Sequence, residues 1–333
     1  MMTEMQNASP GPKVGVLLVN LGTPDAPTPA AVRRYLAEFL SDARVVEIPQ
    51  IVWQPILRGV ILRTRPKKSA HAYSLVWTDE GSPLAAITAR QAKALQAAWP
   101  EVRVDWAMRY GNPAIGDRLA AMKDAGCERI LIAPLYPQYC AATTATANDA
   151  AFAALAGMRW QPAVRTLPPY FDDAAYLAAL KASVEAQLAA LDFEPQAIVA
   201  SFHGMPQRTA DLGDPYHAQC LETARLLGEA LGREVTTAFQ SRFGRAKWLE
   251  PATDAVLAGL PGKGVKRVAV VAPGFSADCL ETLEELAIRG RESFEAAGGE
   301  RFVYLDCLND SGAGLLMLRN IVARELAGWA SLA

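Results

Sequence analysis

Short, predominantly apolar runs recur along the chain between stretches rich in alanine and leucine. The runs are KVGVLLVN (13–20), VRVDWAMRY (102–110), RILIAPLYP (129–137), AIVASF (197–202), RVAVVAP (267–273) and RFVYLDCL (301–308). Strands that are apolar on both faces are typical of parallel sheets, because the crossover helices of such sheets cover both sides. The alternation therefore predicts an α/β fold.

Three landmarks of the first half return in the same order in the second half. LLVNLG (17–22) matches VASFHG (199–204), RYG (109–111) matches RFG (242–244), and the strand ending at 133–134 matches the strand ending at 272–273. The duplication predicts two similar lobes, each a parallel sheet flanked by helices, facing a central cleft. Pro168 and Pro169 mark the boundary, which gives an N-terminal lobe 1–170 and a C-terminal lobe 171–333. Ligands of such sheets bind outside the carboxyl ends of the strands, where every landmark lies.

Composition and motifs exclude several functional classes. The 33 basic residues are balanced by 35 acidic ones, so no basic excess is present to bind nucleic acid. The chain lacks the glycine-rich phosphate loops of nucleotide and dinucleotide enzymes. Five cysteines without a C-x-x-C pair indicate a reducing compartment, and residues 1–12 show no secretory leader. The 12-residue stretch 51–62 is too short to cross a bilayer, so we expect a cytoplasmic protein.

His203 is the strongest candidate for chemistry among three histidines. It ends a buried strand and precedes Gly204, which allows close backbone approach on its far side. The alternative is a core histidine bonded to a carbonyl group. His71 and His217 lie among polar residues, in a predicted loop and helix respectively, and are weaker candidates.

A second candidate is an acidic helix that we expect to start at Ser276 as its N-cap. Asp278, Glu281 and Glu285 have the spacing i, i+3, i+7, which in an α-helix confines them to a face about 60° wide. Carboxylates stacked in this way can serve as oxygen ligands or as a proton path. The alternative is a solvated acidic stripe.

Aromatic residues and one arginine cluster near strand ends of the first lobe. They are Arg109, Tyr110, Tyr136, Gln138 and Tyr139. Such a set suits a flat, mostly apolar, anionic ligand, because rings stack on aromatic faces and arginine pairs with carboxylate. Buried structural tyrosines are the alternative.

Residues 45–62 are apolar with few charges and run into Arg63, Arg65, Lys67 and Lys68. This segment, 45–68, is interpreted either as a core helix or as an apolar lip over the cleft that touches a membrane surface.

Together these features resemble the ferrochelatase family, the enzymes that insert ferrous iron into a porphyrin. The matching stretches are VNLGTPDAPT (19–28), FLSDARVVEIP (39–49), MRYGNP (108–113), LYPQYCAATTA (135–145), SFHGMPQR (201–208), GDPYHAQC (213–220), FQSRFGRAKWLEP (239–251) and APGFSADCLETLEEL (272–286). The resemblance covers nearly the whole chain in the family's order. It implies a lyase that releases two protons while forming haem, with protoporphyrin IX as the expected ring.

The resemblance also implies roles for individual residues. His203 and Glu281 would form the catalytic and metal-binding pair, one from each half of the duplicated chain, meeting across the cleft. Asp278 and Glu285 would continue a proton or metal path away from it. The porphyrin would contact Tyr136 and Arg109, with Tyr110 beside them. An imidazole titrates near neutral pH and also ligates Fe²⁺, so His203 suits either role.

The resemblance implies no resident cofactor, with Fe²⁺ as substrate. Some relatives bind a [2Fe-2S] cluster through C-terminal cysteines, but no cysteine follows Cys307 here, and Cys140 is one place from the usual ligand position. Cys279 stands where many relatives carry histidine. The family's final helix packs on the first lobe. A cobalt chelatase acting on an earlier tetrapyrrole and a non-catalytic haem carrier are the alternatives.

Overall fold

Two four-stranded parallel sheets form the centre of the computed structural model, which describes residues 13–244, 246–330 and 332. The strands are β1 (Val14–Thr23), β2 (Arg103–Gly111), β3 (Arg129–Pro134), β4 (Ala163–Thr166), β5 (Ala197–His203), β6 (Val235–Gln240), β7 (Arg267–Val271) and β8 (Arg301–Leu305). The first sheet has the order β2-β1-β3-β4 and the second has the order β6-β5-β7-β8. The second half of the chain thus repeats the first, which confirms the predicted α/β fold. The predicted lack of a leader falls on residues 1–12, outside the described residues.

Helices cover both sheets. They are α1 (Pro29–Phe39), α2 (Gln50–Ile56), α3 (Leu62–Val76), α4 (Pro83–Ala98), α5 (Ile115–Asp124), α6 (Thr146–Ala156), α7 (Ala174–Ala189), α8 (Gln207–Asp211), α9 (Tyr216–Leu231), α10 (Thr253–Gly259), α11 (Arg291–Ala296) and α12 (Gly312–Glu325), with π-helices π1 (Leu57–Ile61), π2 (Ala141–Ala145) and π3 (Glu281–Gly290) and a 3₁₀ turn at Pro261–Lys263. Asp173 caps α7, accepting a hydrogen bond from the Ala175 N–H.

All six predicted strands are present, and two further strands were missed. β4 has four residues, and β6, with the sequence VTTAFQ, is only half buried along its first three residues. Both differ from the continuous apolar runs that identify buried strands.

The two sheets contribute to one hydrophobic core. Leu18 of β1 and Leu131 of β3 belong to the same buried cluster as Ala200 of β5 and Val271 of β7. The last long helix, α12, supplies Leu318 to this cluster and contacts both α7 and α4. The helix therefore touches the first lobe as well as the second. The division at residue 170 stays a prediction.

The predicted lip is a helical segment with an exposed apolar face. α2, π1 and α3 follow one another without a break, and only the inner side of this segment is buried, with Leu57 at 0% exposure. The exposed apolar residues are Ile51 (86%), Val52, Ile56 and Val60, and Ile48 lies just before the segment. This face is not part of a core, whereas Leu57 and Leu62 on the inner side belong to a buried cluster, so the core-helix interpretation holds for the inner side alone. None of the described helices has the length and apolarity that a membrane-spanning helix requires.

Candidate functional site

His203 is the last residue of β5, at the carboxyl edge of the second sheet. Its position is fixed by the next residue, because the Gly204 N–H donates to the carbonyl oxygen of Gln240 (2.8 Å). A Cβ atom at Gly204 would lie 2.4 Å from that oxygen, so a side chain there would push the two strands apart. The imidazole itself is half buried.

One hydrogen bond defines which ring nitrogen of His203 is available. Nδ1 lies 2.7 Å from the carbonyl oxygen of Gly204. A carbonyl oxygen only accepts, so Nδ1 carries the hydrogen in the neutral ring, and Nε2 keeps its lone pair. Nε2 is therefore the atom that can accept a proton or bind a metal.

Glu281 lies near His203 through a shared neighbour, Gln240. His203 pairs with Gln240 between β5 and β6, and the Gln240 amide donates to the Glu281 carbonyl oxygen (2.8 Å). The Gln240 Oε1 accepts from the hydroxyl of Ser201 (2.7 Å), which fixes the amide. Glu281 follows β7, the other neighbour of β5. The expectation that the pair comes from opposite halves of the chain is wrong, since both residues lie in the second half, His203 at the end of β5 and Glu281 at the start of the helix after β7.

The first lobe supplies the wall beside Glu281. π3 contacts α3, and Leu280 packs on a cluster that includes Tyr73. Burial, together with the charge of Glu281, raises the pKa of Tyr73 well above its usual value. Burial likewise raises the pKa of Tyr35, with Tyr73 and then Glu281 contributing. Two protonated phenols thus lie within electrostatic reach of Glu281. Sequence reasoning missed them, because no local motif singles them out.

Cys279, two residues before Glu281, is buried. Burial is the main cause that raises the pKa of its thiol, and the Glu281 carboxylate adds to the effect. The side chain is therefore a neutral thiol near neutral pH, and the thiol is a much weaker nucleophile and metal ligand than the thiolate.

Asp278 is held by four hydrogen bonds and is 4% exposed. Its Oδ1 accepts from the hydroxyls of Thr282 (2.8 Å) and Tyr304 (2.7 Å). Its Oδ2 accepts from the Cys307 N–H (3.2 Å) and the Asn309 amide (2.6 Å). Both oxygens are thus engaged within the protein.

The predicted acidic face is wrong in its geometry. Ser276 lies in a bend and is not an N-cap, and Asp278 precedes the helix, which is a π-helix from Glu281. A π-helix has more residues per turn than an α-helix, so the i, i+3, i+7 spacing does not align these side chains.

Glu285 stabilises a strained residue at the end of β6. Ser241 has a positive φ of 62°, an uncommon conformation for a residue with a side chain. Glu285 accepts from the Ser241 N–H (2.7 Å) and from the Ser241 hydroxyl (2.5 Å), and it lies 3.8 Å from Arg289. Its predicted place on a proton or metal path stays a prediction.

Arg109 and Tyr110 are bonded to Asp42 at the base of the lip. Asp42 Oδ2 lies 2.6 Å from the Arg109 guanidinium and 2.8 Å from the Tyr110 hydroxyl, and the Thr146 hydroxyl donates to the same oxygen. Burial opposes ionisation of Asp42, but hydrogen bonds from Thr146, the Arg44 backbone and Tyr110 outweigh it and lower its pKa below 3.8. Arg109 is thus already paired with a carboxylate of the protein.

Tyr136 has a different environment from Arg109. Its hydroxyl is buried and has no hydrogen-bond partner, and the same holds for the Thr144 hydroxyl and the Asn148 amide oxygen. Burial raises the pKa of Tyr136, so it remains a donor. Buried polar atoms in native proteins are nearly always paired, and the described residues hold further unpaired ones at Gln91, Tyr170 and Ser276, so these atoms are not confined to one edge of the first sheet.

The other predicted residues of this cluster face the second lobe. The Gln138 amide donates to the Thr223 hydroxyl (2.9 Å), and the Tyr139 N–H donates to the Gln219 side chain (2.7 Å), both on α9. The Gln138 side chain and the Tyr139 backbone therefore join the two lobes.

The remaining histidines lie elsewhere. His217 is on α9, with its ring 5.4 Å from that of Phe239, and His71 is exposed on α3 rather than in the predicted loop. Across the described parts of the chain, no group of three or more His, Cys, Asp or Glu side chains is arranged to hold a metal ion.

Comparison with known proteins gives one family. A sequence profile described as Ferrochelatase matches residues 13–326. A protein named Ferrochelatase from Rhizobium meliloti (strain 1021) is 54% identical over 325 residues, which is 95% of this chain and 96% of that protein. The protein of the same name from Agrobacterium fabrum (strain C58 / ATCC 33970) is also 54% identical, over 95% of this chain and 94% of that protein.

Solved structures show the same fold at low sequence identity. SirB from Bacillus subtilis with Fe³⁺ has a TM-score of 0.53 and 15% identity, covering 96% of this chain and all of that one (100%). The sirohydrochlorin chelatase SirB from Bacillus subtilis subspecies spizizenii in complex with cobalt has a TM-score of 0.53 and 14% identity, covering 95% of this chain and 96% of that one.

Proposed function

Because this chain belongs to the ferrochelatase family and inserts iron into a porphyrin to form haem, we propose that the metal enters the ring beside His203 and Glu281. The arrangement around Gln240 carries this proposal. The backbone of Gln240 pairs with His203, and its side chain holds the first turn of π3 at Glu281. Gln240 thereby links His203, at the end of β5, to the backbone of Glu281, at the start of the π-helix that follows β7.

His203 is the group that removes a pyrrole proton. Metallation replaces two N–H protons by one Fe²⁺, so two protons must leave the ring. The Nε2 lone pair of a neutral imidazole accepts one of them at working pH. The same lone pair can instead ligate Fe²⁺ during delivery. In either case the bond from Nδ1 to Gly204 keeps the ring in the required tautomer.

Glu281 takes the second proton or offers a hard oxygen ligand to the ion. A site with one imidazole and one carboxylate and no thiolate releases a divalent ion to the four ring nitrogens more readily than a tetrathiolate site. In the metal-free protein, burial raises the pKa of the Cys279 thiol and favours its neutral form.

Asp278 and Glu285 act as positioning residues. The contacts with Tyr304, Asn309 and Ser241 favour this role over a proton path, because each carboxylate is already occupied by donors of the protein. Asp278 holds the loop before Glu281, and Glu285 holds the end of β6 beside Gln240.

The ring lies against the strand ends of the first lobe near Tyr136, with protoporphyrin IX as the proposed substrate. The unpaired hydroxyls of Tyr136 and Thr144 support this placement. Arg109 and Tyr110 act on the ring indirectly, through the Asp42 network. The cobalt chelatase alternative is not favoured, because relatives that are 54% identical over 95% of this chain are named Ferrochelatase.

The exposed apolar face of residues 50–61 makes peripheral contact with a membrane. Ile51 and Val60 present apolar side chains to solvent, and Arg63, Lys67 and Lys68 follow as exposed cations suited to anionic headgroups. The protein acts in the cytoplasm, at or near that surface.

The decisive experiment replaces His203 and follows metallation anaerobically. Loss of free-porphyrin fluorescence is measured after adding Fe²⁺, with His217→Ala as the matched control in the same lobe. We expect His203→Ala to fold normally and to lose at least about 100-fold in turnover, the usual contribution of a proton-transfer group, while His217→Ala stays near wild type. A His203→Ala protein that retains about a third of normal turnover overturns the assignment.

A companion variant separates chemistry from ring binding. Glu281→Gln should lower kcat more than it raises KM for the porphyrin, since Glu281 acts on protons and metal. Sirohydrochlorin with Co²⁺ serves as the contrasting substrate pair, and faster turnover of that pair would favour the cobalt chelatase.

A further inference from the structure

A groove between α1 and the lip has the properties of an anion site. It encloses about 320 Å³ and lies between one face of α1 and the segment around π1. Its lining residues are Arg33, Ala37, Ser41, Leu57, Arg58 and Leu62. The floor is apolar, since Leu57 and Leu62 are buried, and the rim carries two exposed guanidinium groups.

Neither arginine of this groove has an acidic partner in the described part of the chain. Arg58 donates to the Gln54 side chain (3.0 Å), a neutral group, and Arg33 makes no ion pair. The neighbouring Arg34, on another face of α1, is paired with Asp25 (3.3 Å). The acid closest along α1, Glu38, accepts from the Gly111 N–H instead. Two uncompensated cations thus flank one apolar groove.

The groove opens beside the exposed apolar face of the lip. Arg58 is on the same helical segment as Ile56 and Val60, which are 41% and 54% exposed. A ligand held by the two guanidinium groups is therefore next to a surface suited to hydrocarbon. This combination of a double cation with adjoining apolar side chains matches an anionic amphiphile better than a small inorganic anion.

We propose that this groove binds the phosphodiester headgroup of an anionic phospholipid, with Arg33 and Arg58 as its ligands. The headgroup phosphate lies between the two guanidinium groups, its glycerol contacts Leu57 and Leu62, and its acyl chains pass along Ile56 and Val60 into the membrane. The proposal rests on the membrane contact proposed above. It adds a defined lipid site to a contact that otherwise depends on general attraction.

A soluble short-chain lipid tests the site without a charged surface. Dihexanoyl-phosphatidylglycerol is titrated below its micelle concentration into wild type, into R33Q/R58Q and into R63Q/K67Q, which removes the same charge from the lip outside the groove. We expect one saturable site in wild type and in R63Q/K67Q, and at least tenfold weaker binding in R33Q/R58Q. Equal affinity in the two variants overturns the proposal, as does inorganic phosphate that binds as tightly as the lipid.

Vesicle binding and turnover separate this proposal from those on which it rests. With vesicles of phosphatidylglycerol and phosphatidylcholine, R33Q/R58Q should lose about 30-fold in affinity, taking ~1 kcal/mol per cation. I51S/V52S removes the apolar contact instead. If only I51S/V52S weakens vesicle binding, the membrane contact of the lip is supported and the lipid site in the groove is refuted. If wild type binds no vesicles, both the membrane contact and the lipid site are refuted. Turnover of R33Q/R58Q on soluble porphyrin should equal that of wild type in every case.

Discussion

Replacing Asp278 by asparagine distinguishes a positioning carboxylate from a proton relay. The carboxylate accepts two hydrogen bonds at each oxygen, from Thr282 and Tyr304 at one and from Cys307 and Asn309 at the other. An asparagine of the same shape keeps one oxygen and turns the other into a donor. Two of the four bonds must then be lost or reversed.

The cost follows from the partners of each oxygen. If the NH₂ of the new amide faces the Cys307 N–H, two donors meet, and the backbone N–H cannot act as an acceptor. If the NH₂ faces the Thr282 and Tyr304 hydroxyls instead, Thr282 would have to accept a second hydrogen bond, because it already accepts one from the Cys279 N–H (3.0 Å). Two bonds to a charged group, each worth ~1.5–3 kcal/mol, are lost, and hydroxyl rotation recovers part of this. We expect Asp278→Asn to lower the free energy of unfolding by about 3 kcal/mol.

Urea unfolding followed by circular dichroism measures this loss, and fluorimetric turnover is recorded where the variant remains folded. Tyr304→Phe is the matched control, because it removes a single donor to the carboxylate and should cost about 1.5 kcal/mol, half the loss expected for Asp278→Asn. Turnover of folded Asp278→Asn should stay within tenfold of wild type. A variant with unchanged unfolding free energy, within about 0.5 kcal/mol, and with turnover reduced 100-fold would refute the positioning role.

Two further predictions concern Glu285 and Asp42. Glu285→Gln keeps both bonds to Ser241, because the amide oxygen accepts from the N–H and the amide nitrogen donates to the hydroxyl, so the free energy of unfolding should change by about 1 kcal/mol or less and turnover by less than threefold. Glu285→Ala removes both bonds and should lower the free energy of unfolding in urea by about 2–3 kcal/mol. A 100-fold loss of turnover in Glu285→Gln would instead support the proton path. The pKa of Asp42 is lower in the folded protein than its usual 3.8, so its contribution to stability is present above about pH 4 and is lost as the pH falls through the lowered value. Between pH 5 and pH 2.5, the free energy of unfolding of wild type should therefore fall more than that of Asp42→Asn. Parallel pH profiles of the two proteins would contradict this.

Sequence patterns predicted the position of His203 because the relevant information is local. A short apolar run that ends in His-Gly predicts a buried strand that ends at the histidine. Gly204 approaches the Gln240 carbonyl oxygen so closely that a side chain would not fit, which explains the glycine. Three landmarks of the first half that return in order in the second predicted the two similar sheets. Residues with a mixed composition, such as those of β6, do not give that signal.

The roles of the acids could not be predicted in the same way. The spacing argument for Asp278 and Glu285 assumes an α-helix, and the chain forms a π-helix that begins after Asp278. The partners that occupy these carboxylates, Tyr304 and Ser241, lie 26 and 44 residues away in sequence. Likewise, Asp42 is 67 residues from Arg109. Tertiary contacts of this kind leave no periodic pattern.

The common interior beneath the two sheets limits how this protein can admit a rigid disc. Interlocked side chains from β1, β3, β5 and β7 resist shear and compression, so the halves do not swing apart as separate bodies. The space between the strand ends of the two halves therefore cannot widen by rotation of one half against the other. The strand ends of both sheets thus form one stiff frame, in which a displacement on one side is transmitted to the other.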